Sequence, residues 1–218
     1  MGVFISFEGI DGCGKTTQIE LLSRFLEMQG IKTCVTKEPG STEAGRVIRK
    51  MLLDESLRLD KYSQLFLFVA DRVQDLNEVI RPALKSGKWV LCDRFVESTV
   101  AYQGYGLGIE LDYIDYIHRK IVGNTWPDLT LVLDCPVEMA KSRVEIRGKK
   151  PFVRDRSSAD RYESSTVEFK QMLRKGYQEI VSKNPDRIVS IDASYGIDEV
   201  HRAIVEALKR KRLWPLEI

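Results

Sequence analysis

Val3-Phe4-Ile5-Ser6-Phe7, running straight into Glu8-Gly9-Ile10-Asp11-Gly12-Cys13-Gly14-Lys15-Thr16-Thr17, decides how the chain folds. The first five residues are β-branched, aromatic or otherwise apolar apart from one serine, the composition of a buried strand. Ile19, Leu21, Leu22, Phe25 and Leu26 then recur at helical spacing. Between strand and helix lies Gly-x-x-x-x-Gly-Lys-Thr, in the position a phosphate-binding loop requires. Its glycines let backbone N–H groups turn inward around phosphate oxygens, and the helix N-terminus adds its positive dipole end. Lys15 can reach the outer phosphates, and the Thr16 hydroxyl can ligate magnesium. The plainer reading is a glycine turn before an ordinary helix. From average residue usage the pattern arises by chance in under about one chain in a hundred of this length, before its strand and helix context is counted. Gly9, Ile10, Asp11, Gly12, Cys13, Gly14, Lys15, Thr16 and Thr17 therefore read as a nucleoside-triphosphate site.

Outward from that loop, 218 residues suffice for one α/β domain with a sizeable core and not for two large ones. A hydrophobic fraction of 43% and a charged fraction of 30% are those of an ordinary globular protein. The net charge of +2 gives no sign of a nucleic-acid partner. The basic run Lys209-Arg210-Lys211-Arg212 reads as the end of a solvated helix. Cys13, Cys34, Cys92 and Cys135 are far apart without paired spacing, which suits a reducing cytosol. With His118 and His201 as the only histidines, a histidine metal site or a Ser-His-Asp triad has almost nothing to draw on. No signal-peptide pattern and no membrane-spanning apolar stretch is expected.

Further strands are predicted at 32–36, 89–92, 129–133 and 187–191. Helices are predicted at 43–53, 60–85, 111–121, 137–147, 160–181 and 197–208. The segment from Val96 to Gly108 is polar and glycine-bearing, and no element is assigned to it. Strands alternating with helices predict a doubly wound parallel sheet of five strands with helices on both faces. The charge-dense stretch at 147–159 reads as a mobile lid on this single domain. Ligands in such a sheet gather at the carboxyl ends of the strands. There the sequence places Glu38-Pro39-Gly40 after the second strand and Asp93-Arg94-Phe95 after the third.

A phosphate-binding loop does not by itself choose between switch, motor and kinase. The Asn-Lys-x-Asp and Asp-x-x-Gly signatures of a GTPase are not where they would be needed. Asp93 supplies the carboxylate that holds magnesium in such folds, and Arg94 beside it suits a phosphate. A lid arginine would neutralise charge in the transition state and exclude water, which favours a small-molecule kinase over an ATPase.

These features resemble the thymidylate kinase family of bacterial type, and the resemblance runs over essentially the whole chain. It is carried by the loop from Gly9 to Thr17, Glu38-Pro39-Gly40, Phe68-x-x-x-Arg72, Asp93-Arg94-Phe95 with Ser98, Ala101-Tyr102-Gln103-Gly104 and Asp160-Arg161-Tyr162-Glu163. It implies phosphoryl transfer from Mg·ATP to dTMP. Phe68 would stack on thymine and Arg72, four residues on and on the same helix face, would donate to O4. Residues alone leave core packing and a surface salt bridge equally open for that pair. The resemblance further implies Arg94 and Arg49 as forked donors to the acceptor phosphate. Tyr102 would lie under the sugar, with Asp11 near it. Glu38, Ser98, Thr99 and Gln103 complete the dTMP pocket, and Glu163 joins its metal environment. Thr16 and Asp93 would hold magnesium. Family members carry the assisting arginine either in the loop or in the lid. Glycine at position 12 implies the lid, with Arg154 and Arg156 the candidates and Arg147 and Lys149 behind them. Such enzymes are generally homodimers through apolar helix faces. Lys37, Ser41, Phe95, Leu107 and Cys13 depart from the residues frequent in the family, and Leu107 removes an arginine often found there. Two other readings stand beside this one. A kinase of a different nucleotide or of a deoxynucleoside would need a base for a neutral hydroxyl, for which Glu8 could serve. A nucleotide-binding regulatory module would need no turnover at all.

Overall fold

The computed structural model describes residues 2–148 and 166–213. Its strands are β1 (Phe4–Glu8), β2 (Thr33–Lys37), β3 (Trp89–Asp93), β4 (Leu129–Asp134) and β5 (Ile188–Asp192). They form one parallel sheet in the order β2-β3-β1-β4-β5, as the alternation of elements predicts. β1 is buried along its whole length, between β3 and β4. That is why its sequence is a nearly continuous apolar run rather than an alternating one. Its side chains nevertheless divide by parity. Ile5 and Phe7 join the core on one face, with Leu22 and Leu26 of α1 (Lys15–Met28) and Ile204 and Leu208 of α9 (Ile197–Arg210). Phe4 joins the other core, with Leu76, Ile80 and Phe95. Ser6, of the same parity as Phe4, shares a buried hydrogen bond with the Thr130 hydroxyl of β4 at 2.7 Å.

The remaining helices are α2 (Glu43–Leu53), α3 (Lys61–Asp75), α4 (Arg81–Lys85), α5 (Val96–Thr99), α6 (Leu111–Val122), α7 (Val137–Gly148) and α8 (Val167–Lys183). Two segments depart from the sequence reading. The helix predicted over 60–85 changes register between α3 and α4, through a π turn at Leu76–Ile80. Pro82 has no N–H for the carbonyl four residues earlier, and a wider turn absorbs that missing bond. The polar stretch after Val96 is helical, with α5 leading into a π-helical segment, Val100–Gly106. Its glycines are contact points: a Cβ on Gly104 would lie 2.5 Å from Leu111 Cδ2, and one on Gly106 would lie 2.9 Å from the Phe169 ring. The lid expected at 147–159 begins at the end of α7, and residues 149–165 lie outside the described residues. Among the described residues no helix is long and apolar enough to cross a membrane.

Candidate active site

The loop between β1 and α1 turns through Gly9, Gly12 and Gly14, all at positive φ. At Gly12 (φ 89°) a Cβ would lie 2.2 Å from the Ala140 carbonyl oxygen of α7, so a side chain there collides with backbone as well as straining its own. Lys15 is buried, and its Nζ donates to the carbonyls of Gly9 and Ile10 at 3.1 and 3.2 Å. Cys13 is buried inside the turn, and burial raises its thiol pKa. Thr16 Oγ1 donates to Asp93 Oδ2 at 3.1 Å, joining the start of α1 to the end of β3. The other carboxylate oxygen, Asp93 Oδ1, is buried and has no hydrogen-bond partner among the described residues. An orphaned anionic oxygen beside a hydroxyl is a hard, all-oxygen donor set that fits a magnesium ion.

Arg94 follows at the end of β3 with φ 74°, a left-handed conformation rare outside glycine and common at functional turns. Glu8 helps to enforce it. Its Oε1 accepts from Phe95 N at 2.7 Å, and its Oε2 accepts from Ser98 Oγ at 2.6 Å and Tyr177 OH at 3.2 Å. Burial, with Glu97 nearby, pushes the Glu8 carboxyl up to about 7. Bonded on both oxygens, Glu8 braces this turn. The Arg94 guanidinium reaches Asp11 Oδ1 at 2.5 Å, Tyr102 OH at 3.1 Å, Ser98 Oγ at 3.0 Å and Tyr177 OH at 3.4 Å. Tyr102 also donates to Asp11 Oδ2 at 3.1 Å. Burial alone would raise the pKa of Asp11. Arg94 and Lys15 outweigh it and hold the carboxyl well below the usual carboxylate range.

At the other end, the Arg72 side chain is 1% exposed, not at the surface. Its Nε donates to Glu38 Oε2 at 2.7 Å, and its Nη2 donates to the Phe95 carbonyl at 2.8 Å. Its Nη1 bonds Thr99 Oγ1 at 3.0 Å and His118 Nε2 at 2.9 Å. Behind Glu38 stand two more buried acids. Asp71 accepts from Gly40 N and Asp75 from Thr36 Oγ1. Burial raises all three, Asp71 to about 6 and Asp75 to about 7. Phe68, one turn before Arg72, is half-buried. Arg49 donates to the Pro39 carbonyl at 3.1 Å.

One cleft of about 560 Å³, its open mouth included, joins the two ends. Its lining contains Asp11, Glu38, Arg49, Phe68, Arg72, Arg94, Ser98, Thr99, Tyr102 and Gln103, together with Pro39 of the Glu38-Pro39-Gly40 turn and with Leu53, which the sequence did not single out. Glu163, Arg154, Arg156 and Lys149 lie outside the described residues, as does the side chain of Arg147. Two residues behind the lining escaped the sequence reading. His118 and Tyr177 lie on amphipathic helices whose periodicity marks them only as inward-facing, and nothing local tells which arginine either one meets.

The family model described as thymidylate kinase matches residues 7–204. A thymidylate kinase of Halothermothrix orenii is 40% identical over 208 residues, covering 95% of this chain and 97% of that protein. One of Desulfovibrio desulfuricans is 41% identical over 214 residues, covering 96% and 98%. The crystal structure of thymidylate kinase from Ehrlichia chaffeensis superposes with a TM-score of 0.76 at 32% identity, covering 95% of this chain and 98% of that one. With that breadth of match, over the loop, the Arg94 turn and the cleft alike, the chain belongs to the thymidylate kinase family.

Proposed function

We propose that this protein transfers the γ-phosphoryl group of ATP to dTMP, giving ADP and dTDP. The observation that carries the reading is the cleft itself, whose lining joins Arg94 and Asp11 beside the phosphate-binding loop to the aromatic–arginine pair Phe68 and Arg72. ATP would sit with its phosphates on the loop N–H groups, and Lys15 would turn from the loop carbonyls to the outer phosphates. Arg94 and Arg49 would hold the acceptor phosphate, Phe68 would cover the base and Arg72 would donate to its O4. Tyr102 and Asp11 would hold the sugar end, with Ser98, Thr99, Gln103, Glu38 and Glu163 completing the pocket.

The acceptor oxygen belongs to a phosphate monoester whose second pKa near ~6 leaves it ionised at neutral pH, so no general base is needed. Its charge is met by Lys15, Arg94 and a lid arginine, Arg154 or Arg156, since the loop carries no arginine and Gly12 has no room for one. Asp93 and Thr16 would hold the magnesium ion of Mg·ATP, which when bound neutralises charge on the β- and γ-phosphate oxygens. Four free cysteines suit a cytoplasmic setting. A homodimer would form on the exposed apolar side chains Val47 and Met51 of α2, Phe66 of α3 and Tyr116 of α6, three helices packed side by side.

The test is ADP formation from Mg·ATP with dTMP, dUMP, dCMP, AMP and thymidine as acceptors. Turnover led by dTMP is expected. Turnover led by thymidine would overturn the acceptor assignment, and none with any acceptor would overturn the reaction.

A further inference from the structure

A guanidinium has five N–H donors in one rigid plane. For Arg72, Glu38 takes the Nε proton, Thr99 and His118 take Nη1, and the Phe95 carbonyl takes one proton of Nη2. Four partners from three separate segments thus leave one Nη2 proton for a ligand in the cleft that Arg72 lines. His118 differs from the other three. It is 2% exposed on α6, forty-six residues from Arg72, and it is not among the residues lining the cleft. It can influence a ligand only through the arginine.

We propose that His118 is a positioning residue for base recognition, its Nε2 fixing the rotation of the Arg72 guanidinium so that the remaining Nη2 proton meets the base. The imidazole must accept, so the hydrogen-bond network assigns its own proton to Nδ1. Burial and the charge of Arg72 hold its pKa well below the usual histidine range, which keeps the ring neutral and its Nε2 lone pair available. Without that acceptor, a buried charged N–H is left unpaired, and the guanidinium relieves it by rotating toward another oxygen. The rotation carries Nη2 away from the position it holds on the Phe95 carbonyl.

This inference rests on Arg72 meeting the base, and the experiment separates the two. Steady-state kinetics with dTMP and dCMP compare the native protein, His118→Leu and His118→Gln. Thymine presents a carbonyl acceptor at position 4, and cytosine presents an amino donor. His118→Leu should raise KM for dTMP about tenfold, leave KM for ATP within about twofold, and cut the dTMP-over-dCMP preference by a similar factor. His118→Gln carries its amide oxygen close to the position of Nε2 and should recover most of that loss. Should His118→Leu not fold, His118→Asn replaces it, since its shorter amide falls short of Arg72. Equal defects in the glutamine and leucine (or asparagine) variants would overturn the proposal and leave His118 as packing. So would a KM for ATP that rises with that for dTMP. A native protein that does not prefer dTMP over dCMP would instead overturn the role of Arg72 itself.

Discussion

Lys15 and Arg72 are both buried cations, but they are held differently and should fail differently. Lys15 Nζ rests on two loop carbonyls, neutral acceptors that can turn to water when it leaves. Lys15→Ala should reduce phosphoryl transfer by about 10³-fold, because it removes charge aimed at the transferring group, while the melting temperature moves little. Transfer retained in that variant would remove the loop from the mechanism. Arg72 is the partner of a buried carboxylate that has two further acids behind it. Truncating it to alanine should cost about 3–5 kcal/mol of stability, which would blur any kinetic reading. Arg72→Lys is the sharper probe, since it keeps the charge and loses the planar fork. It should raise KM for dTMP more than about tenfold with KM for ATP nearly unchanged. Equal effects on both substrates would contradict base recognition at this residue.

Among the elements, α8 follows the segment expected to be the lid and braces the site from behind the cleft lining. It packs on the π-helical Val100–Gly106 segment through two glycine contacts, Gly106 under Phe169 and Gly176 under Tyr105. The next residue, Tyr177, holds Glu8, Ser98 and Arg94 in one network. In Gly176→Ala the new methyl would lie 2.9 Å from the Tyr105 ring, so the helix must lift or the ring must move. Overpacking of this kind costs about 1–3 kcal/mol. The expected result is a melting temperature lowered by several degrees, with kcat falling more than KM for ATP rises as Tyr177 withdraws from Arg94. An unchanged melting temperature would show that the contact yields freely.

For the molecule as a whole, the sheet order brings the carboxyl ends of β1, β2 and β3 to one edge of the site, and with them a concentration of buried acid. Asp75 faces Asp71, Arg72 and Glu78 from its own helical run, Thr36 and Glu38 from β2 and the turn after it, and Cys92 from β3. Its pKa stands at about 7 in the folded protein against 3.8 ordinarily, so between about pH 4 and 7 the folded state keeps a proton that the unfolded chain has released. Stability is therefore lost as pH rises through that window and is level above it. Asp75→Asn removes this loss, so its melting temperature should exceed that of the native protein by a few degrees more at pH 8 than at pH 5. A constant difference would show that Asp75 titrates normally. On α3 and α2, Phe66 is 50% and Val47 59% exposed. If this face joins two copies, light scattering should give twice the chain mass, and Phe66→Glu should halve it.

Much of this was written locally. The glycine spacing of 9–14, the apolar run of β1 and the return of helical periodicity after each strand specify a parallel sheet with a phosphate loop, because these are rules of neighbouring residues. The arginines, aromatics and acids of the cleft were legible by residue type and position at strand ends. Their states were not. Arg72 could as well have been a surface ion pair. His118 and Tyr177 carried no signal beyond an inward-facing helical position. Periodicity encodes which face of an element is buried. Hydrogen bonds spanning 46 or 169 residues depend on how those faces pack, and only the assembled structure sets the distances and burial that fix the geometry and charge of each group.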